Sequence, residues 1–481
     1  ENKVDVAGAG LYIANNSTTF SLTLKDNLII GNESNRNGGG VFIDGGNNGM
    51  TYEIGNNKIK GNKANIGAGL YINNTTLEMR NDSISNNEAG SGGGVYLGDK
   101  TSFTMKESLT ISGNKAKNGA GVYVDSGPSS DPTTLAMTGG TISGNTASQY
   151  GGGVYNLYAF TFTGGTISDN TSSYSGGGVY NAKTFVIENG SITGNQAAGC
   201  GGGVYNDDTF TMKSGTVSNN ATTRQGNSSY GGGGVYNAKT FVFKNGTISG
   251  NTSAYFGGGV YNNGSFTLDN GTITQNQANS WGGGLYSNKS FTIENGTVTY
   301  NTARSGGGVY YHTGTSSAVM NGGTISHNEV TGDGGGVYGF TNVNGGGNIS
   351  FTMNAGTISH NTATENGGGV FFGRNVNNES TFTINSGEIT GNTAKNGGGV
   401  YVHQGSLVLG GCTIANNTAR TNGGGVYNYG LSPTAVVTMN NSTIRGNMAT
   451  ANGGGVYNEG KYAVFTLTAG SIVQNTAGSG R

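Results

Sequence analysis

The sequence predicts an all-β protein, a parallel β-helix in which about seventeen three-strand coils stack into a solenoid. Two recurring phrases predict this fold. Variants of GGGVYN occur seventeen times, and variants of TISGNTA place one asparagine in every repeat. A third phrase, seen as FTMKSG, FVIENG and FTIENG, lies between them, so the shortest repeat of about 25 residues holds three strand-like runs. Each repeat therefore corresponds to one triangular turn.

The spacing of the phrases predicts one tight corner and one variable corner. The interval from the asparagine to the next valine is eight or nine residues in every repeat but one. The interval from the valine to the next asparagine varies from 16 to 24 residues. Insertions are therefore expected between the valine and the asparagine. The glycine triplet suits a corner that needs positive φ and a close approach of two backbones.

Alternation along each strand assigns the inward side chains. Phe210 and Met212 are expected to point inward and Thr211 outward, and the tyrosine that follows each valine points outward. An inward asparagine needs a partner, and a column of asparagines at one strand spacing lets each side-chain amide donate to the carbonyl of the next. In the most regular coils we expect this ladder to comprise Asn145, Asn170, Asn195, Asn220, Asn251, Asn276 and Asn301.

Composition narrows the classes of function. The chain has 95 glycines and 3 prolines, and its 24 basic residues nearly cancel its 25 acidic residues. This balance gives no excess of positive charge that would favour binding to nucleic acid or to an anionic membrane. No apolar stretch of the sequence is long enough for a transmembrane helix. Cys200 and Cys412 lie about eight coils apart, so no disulfide is expected between them. Residues 1–481 are predicted to form a single continuous β-helix.

The pairing of Gly-Gly-x-Val with Ile-x-x-Asn resembles the Gly-Gly-Ala-Ile and Phe-x-x-Asn repeats of chlamydial polymorphic outer-membrane proteins. It is also similar to the adhesin-like β-helix repeats of large surface proteins from gut anaerobes. The resemblance covers the chain from Gly8 to Asn475 and implies a right-handed β-helix, export, and an adhesive or stalk role. The third residue of the glycine phrase departs from the family pattern, because it is mostly glycine rather than alanine.

The sequence favours no enzyme, no cofactor and no metal site. The GGG runs do not precede helices as phosphate-binding loops do, and the acidic residues are scattered rather than clustered at a cleft. Asp207, Asp208, Glu188 and Glu294 are therefore interpreted as solubilising outward positions. His327 and His360 recur at one position of consecutive coils, but two histidines without a third ligand make a weak metal site.

Two surface arrays offer alternatives. Tyr150, Phe256 and Trp281 immediately precede the glycine corner, where they would stack on sugar rings if exposed or cover the corner if packed. The outward Thr and Ser residues of the TIS strands, such as Thr166 and Ser168, form a hydroxyl stripe that suggests ice binding as a remote alternative.

The function that fits these observations is a non-catalytic structural or adhesive stalk, extracellular and at a microbial cell surface. A subunit of a self-assembling filament and a carbohydrate-binding or carbohydrate-active β-helix are the alternatives. Host or environmental glycans, surface proteins and further copies of the chain are the partners expected. Asn2 and Asn475 both occupy the ladder position, which predicts an internal piece of a longer protein or an end-to-end fibre.

Overall fold

The computed structural model describes residues 2–14, 20–45, 50–127, 132–224, 230–312, 317–340, 348–374, 380–430 and 434–478. The chain divides into two compact units. The first unit comprises Glu1–Arg224 and Gly233–Phe241, and the second comprises Gln225–Gly232 and Val242–Arg481. All regular secondary structure in the described residues consists of β-strands. The strands occupy four positions in the coil, which we name the valine, phenylalanine, isoleucine and linking positions.

In the first unit the valine strands are Leu11–Ala14, Val41–Asp44, Leu70–Asn73, Val95–Leu97, Val122–Val124, Val154–Asn156, Val179–Asn181, Val204–Asn206 and Val235–Asn237. The phenylalanine strands are Phe20–Lys25, Met50–Gly55, Thr76–Met79, Ser102–Met105, Thr134–Met137, Ala159–Phe162, Thr184–Ile187 and Thr209–Met212. The isoleucine strands are Leu28–Ile30, Lys58–Lys60, Ser83–Ser85, Thr110–Ser112, Thr141–Ser143, Thr166–Ser168, Ser191–Thr193 and Thr216–Ser218. The linking strands are Lys3–Val4, Glu33–Ser34, Lys63–Ile66, Glu88–Ser91, Lys115–Asn118, Thr146–Tyr150, Thr171–Ser172, Gln196–Ala197 and Ala221–Thr222. One further phenylalanine strand, Thr240–Phe243, crosses the boundary between the units in sequence.

In the second unit the valine strands are Val260–Asn262, Leu285–Ser287, Val309–His312, Val337–Phe340, Val370–Arg374, Val400–Val402, Val426–Tyr429 and Val456–Glu459. The phenylalanine strands are Ser265–Leu268, Phe291–Ile293, Ser317–Met320, Ser350–Met353, Thr381–Ile384, Gly405–Leu409, Ala435–Met439 and Ala463–Leu467. The isoleucine strands are Thr247–Ser249, Thr272–Thr274, Thr297–Thr299, Thr324–Ser326, Thr357–Ser359, Glu388–Thr390, Thr413–Ala415, Ser442–Arg445 and Gly470–Val473. The linking strands are Thr252–Ser253, Gln277–Ala278, Thr302–Ala303, Glu329–Val330, Thr362–Ala363, Thr393–Ala394, Thr418–Ala419, Met448–Ala449 and Thr476–Ala477.

Strands at the same position pair in parallel from one coil to the next, except that the phenylalanine strands Phe20–Lys25 and Met50–Gly55 form a separate two-stranded sheet. The register is regular in most coils and shifts at Lys115–Asn118 and at Val337–Phe340. Val154 lies opposite Val179, and Thr166 lies opposite Ser191. Within each unit the parallel strands form a right-handed β-helix, which confirms the predicted fold class. The seventeen phrases bound about sixteen turns. The continuity of residues 1–481 as one β-helix stays a prediction from the repeat.

The coil has four strands where the sequence predicts three. The additional strand is the linking strand, which follows the ladder asparagine and is only two residues long in most coils, as in Gln196–Ala197. A two-residue strand shows no alternation of apolar and polar residues, so the pattern of the sequence could not reveal it.

The interior is formed by the predicted inward residues. Val204, Phe210, Met212 and Val217 are completely buried, while Thr211 between them is only partly buried. At the glycine corner the backbones of successive coils approach closely. A Cβ atom on Gly153 would lie 2.6 Å from the carbonyl oxygen of Gly178, so a side chain has no room there.

Candidate functional site

The asparagine ladder is the most regular feature of the interior. The side-chain Nδ2 of Asn145 donates to Oδ1 of Asn170 at 2.9 Å and to the carbonyl oxygen of Ile111 at 3.0 Å. The backbone N–H of Asn145 donates to the same Oδ1 at 3.0 Å. Oδ1 of Asn145 accepts from Nδ2 of Asn114 at 2.9 Å, so both polar ends of this fully buried amide are satisfied. The side chain thereby joins three successive coils.

The predicted ladder is confirmed in each unit. In the first unit it runs through Asn145, Asn170, Asn195 and Asn220. In the second it runs through Asn251, Asn276 and Asn301 and continues beyond them to Asn475. The bonds to the isoleucine carbonyls and from the backbone N–H were not predicted, because they depend on the depth at which the asparagine enters the core.

A second buried column of amides follows the valine strands. Asn156 donates to Asn181 at 2.7 Å, and Asn181 donates to Asn206 at the same distance. Nδ2 of Asn156 also donates to the carbonyl oxygen of Thr184, which ties the valine strand of one coil to the phenylalanine strand of the next. The inward direction of this position agrees with the alternation of the sequence, where aliphatic residues replace asparagine in other coils.

The aromatic residues that follow the valines form a stacked column on the outer side of the valine sheet. In the first unit the successive rings lie 4.8–5.2 Å apart. Tyr180 is half-buried between Tyr155 and Tyr205, and burial raises the pKa of the Tyr180 hydroxyl well above its usual range. The column therefore covers the strands beneath it.

The three residues proposed for sugar stacking differ in their surroundings. In the first unit, Tyr150 is half-buried and packs at a tilt against Tyr155, Tyr174 and Tyr180. In the second unit, Phe256 is only 1% exposed and stacks on Trp281 and Tyr286 of the next coil, at 4.7 and 4.5 Å. Phe256 therefore has no ring face free for a sugar, because it covers the glycine corner.

Trp281 is in contact with aromatic rings on both faces. Its ring lies nearly parallel to Phe256 and to Tyr310, with centroid distances of 4.7 and 5.0 Å. Only the edge of the indole is available to solvent. The indole N–H has no acceptor among the described residues.

The edge of Trp281 opens onto a surface cavity of about 490 Å³, which we name the Ser305 notch. The segment from Asn301 to Val309 spans eight residues, whereas the corresponding segments of the two neighbouring coils span nine. Ser305 pairs with Trp281 on one side and accepts a hydrogen bond from the N–H of Asp333 on the other, at 3.4 Å. The notch forms because the small residue Ser305 lies in a short corner between the longer corners of the two neighbouring coils. Its lining comprises Trp281, Arg304, Ser305, Tyr310, Thr331, Gly332, Asp333, Tyr338, Phe340 and Glu365.

The polar groups of the notch are partly engaged. Oδ1 of Asp333 accepts the backbone N–H and the side-chain amide of Asn366, at 3.0 and 2.9 Å. Glu365 accepts a hydrogen bond from Lys395 at 3.0 Å. The guanidinium group of Arg304 is exposed and donates to no atom of the described residues. A second cavity of about 360 Å³ adjoins the notch and shares Arg304 and Thr331 with it.

Trp281 was predicted from the sequence as a candidate ligand-binding residue, whereas Arg304, Asp333 and Glu365 were not. One signal was present, because the interval from Asn301 to Val309 is one residue shorter than those of the adjacent coils. The interval did not reveal which side chains from neighbouring coils would surround the gap.

The remaining predicted surface residues lie at separate places. Glu188 pairs with Lys213 at 2.7 Å and Asp208 with Lys183 at 3.5 Å, while Glu294 accepts the amide of Asn321. Burial is the main cause that raises the pKa of Asp207. In the hydroxyl stripe, Thr216 donates to Ser191 and Ser218 to Thr193, both at 3.2 Å.

His327 and His360 are brought together, as their positions in the repeat suggest. Their exposed rings stack at 5.0 Å and are nearly parallel, with an angle of 8° between the planes. No group of three or more His, Cys, Asp or Glu side chains that would hold a metal occurs in the described residues. Within the same residues, no helix has the length and apolar character needed to cross a membrane.

No family profile, curated protein or solved structure matches this chain. The class of the protein is therefore defined by its own geometry, which is that of a β-solenoid with internal amide ladders.

Proposed function

We propose that the chain is a structural and adhesive β-helix of an extracellular microbial surface, without catalytic activity. The observation that carries the proposal is the buried asparagine ladder, which joins successive coils in each unit through fully satisfied amides. The outer surface then serves for contact with other molecules.

The ladder supports a structural role because it makes opening of a single coil costly. Separating the coils of Asn170 and Asn195 would leave the backbone N–H and Nδ2 of Asn170 without their acceptor. Each buried polar group left unpaired costs about 1–3 kcal/mol. A protein with this interior suits an exposed location, where proteases attack segments that open locally.

The surface carboxylates support a non-catalytic role. Glu188 and Asp208 are held by lysines of neighbouring coils and do not converge on a cleft. General acid–base catalysis requires carboxyl groups within reach of one substrate bond, and often with separated pKa values. The carboxylates considered in the sequence analysis act instead as solubilising groups on the coils.

Labelling of cells would test the location. Antibodies raised against the purified chain are expected to bind intact cells of the source organism as strongly as permeabilised cells. Beads coated with the chain are expected to adhere to glycan-coated or host-cell surfaces more than beads coated with albumin. Labelling confined to permeabilised cells would contradict the extracellular proposal, and equal adhesion of the two kinds of bead would contradict the adhesive role.

A further inference from the structure

We infer that the Ser305 notch is a binding site for a short neutral saccharide, held by polar groups at its edges rather than by stacking on an aromatic face. This inference gives the proposed adhesive function a ligand class and a site.

The first observation is the presence of unused donors beside acceptors. The guanidinium of Arg304 and the indole N–H of Trp281 donate to no atom of the described residues, and both residues line the notch. The carboxylates of Asp333 and Glu365 lie in the same lining. A sugar hydroxyl both donates and accepts, so neighbouring hydroxyls match a surface that offers guanidinium donors next to carboxylate acceptors.

The second observation concerns charge. Arg304 contributes one positive charge and Asp333 and Glu365 contribute two negative charges, while Lys395 holds Glu365 at 3.0 Å. The four charges sum to zero. Two carboxylates oppose an acidic sugar and the guanidinium opposes an amino sugar, so a ligand without charge is the one that the notch suits best.

The third observation concerns size and the available surfaces. A cavity of about 490 Å³ lies in the range of small-molecule sites. Because Phe256 and Tyr310 stack on Trp281, a sugar ring contacts the indole at its edge rather than on a face. Phe340, which is partly buried, offers apolar surface in the same lining.

An extended peptide is a poorer fit than a saccharide. A peptide that adds to a β-sheet needs unpaired backbone groups at a strand edge. In the notch the backbone groups are engaged between coils, since the N–H of Arg304 donates to Ser280 and the N–H of Gly332 donates to Arg304. The groups left for a ligand are side chains.

Trp281 is the only tryptophan of the chain, so its fluorescence reports directly on the notch. Purified protein would be titrated with three neutral probes, maltotriose, cellotriose and mannotriose, and with trigalacturonic acid and chitosan trimer as charged probes. At least one neutral probe is expected to change the indole emission in a saturable manner. Absence of a saturable change with all three neutral probes, or a stronger response to either charged probe, would overturn the inference.

Three variants keep the packing and remove one polar group each. Arg304→Gln and Asp333→Asn are expected to weaken binding about tenfold or more, measured by calorimetry. Asp333→Asn retains the Oδ1 atom that accepts from Asn366. Trp281→Phe retains a ring between Phe256 and Tyr310 but removes the indole N–H, and it should also weaken binding. Arg445→Gln, at an exposed isoleucine-strand position, is the matched control and should change affinity less than twofold.

The outcomes separate this inference from the proposed function. If the wild type and all three variants bind a neutral probe equally, the notch is not the site, while adhesion of coated beads still tests the adhesive role. A short peptide, tri-alanine, serves as the competing class of ligand. Tighter binding of the peptide than of every saccharide would overturn the assignment to a saccharide.

Discussion

Asn57 donates both its backbone N–H and its side-chain amide to Oδ1 of Asp82, at 2.8 and 2.9 Å. Asp82 is 1% exposed, and its Oδ2 has no hydrogen-bond partner in the described residues. Asn27, Asn57 and Asp82 form a third column, in which Nδ2 of Asn27 donates to Oδ1 of Asn57 at 3.1 Å. This column ends at Asp82, because the next coil places the completely buried Leu109 just before Thr110, whose N–H donates to the Asp82 carbonyl. Burial raises the pKa of the Asp82 carboxyl above its ordinary value of 3.8, against the opposing effect of the Asn57 bonds.

The first prediction concerns the pH dependence that Asp82 causes. A carboxyl whose pKa is raised on folding favours the folded state in its neutral form, so its stabilising effect is complete below pH 3.8 and is lost as pH rises through the raised pKa. Asp82→Asn should remove this loss and raise the free energy of unfolding at pH 7 by about 1–3 kcal/mol. Urea unfolding at several pH values would measure it. Asp26→Asn, on an exposed turn, is the control, and an equal gain there would refute the explanation.

The second prediction concerns the asparagine ladder. Asn195→Leu removes the acceptor of two Asn170 donors and the donor to the Ile167 carbonyl. We expect the free energy of unfolding to fall by about 3 kcal/mol or more, since each unpaired buried group costs about 1–3 kcal/mol. Thr193→Val removes an outward hydroxyl that accepts from Ser218 and should cost less than about 1 kcal/mol. Similar melting shifts for the two variants would show that the ladder does not stabilise the coils.

The third prediction concerns the hydroxyl of Tyr311. This side chain is completely buried, packs edge-on against Phe291, and has no hydrogen-bond partner for its hydroxyl in the described residues. Tyr311→Phe should raise the free energy of unfolding by about 1–3 kcal/mol, because an unpaired buried polar group is removed. Tyr12→Phe makes the same change at a 55% exposed side chain and should alter stability by less than about 0.5 kcal/mol. A destabilised Tyr311→Phe would mean that the hydroxyl has a partner in solution.

The fourth prediction concerns the glycine corner. Gly153→Ala places a Cβ atom 2.6 Å from the carbonyl oxygen of Gly178, and we expect a cost of about 1–3 kcal/mol as the coils shift apart. Gly55→Ala is the matched control, because its nearest neighbour, the carbonyl oxygen of Arg80, would lie at 3.6 Å. Thermal unfolding of the two variants is the measurement. If Gly153→Ala and Gly55→Ala unfold at the same temperature, close backbone approach is not the reason for the glycine triplet.

The sequence alone determined the features that depend on residue type and on spacing within one coil. Alternation placed Phe210 and Met212 in the core, and the need to pair buried amides predicted the ladder of Asn170 and Asn195. The same reasoning placed the tyrosines on the outer side, where the rings of Tyr155 and Tyr180 stack at 4.8 Å. These features follow from local chemistry repeated at every turn.

Only the tertiary structure decided the features that depend on which residue lies above another in the next coil. Phe256 is buried because Trp281 and Tyr286 stack on it. Oδ2 of Asp82 has no partner among the described residues because the next coil offers Leu109 and no amide there. The Ser305 notch exists because a short corner lies between Trp281 and Asp333, which are 52 residues apart in sequence (333 − 281). Insertions of variable length separate such residues along the chain, so their contact is set by the stacking of coils and not by any spacing in the sequence.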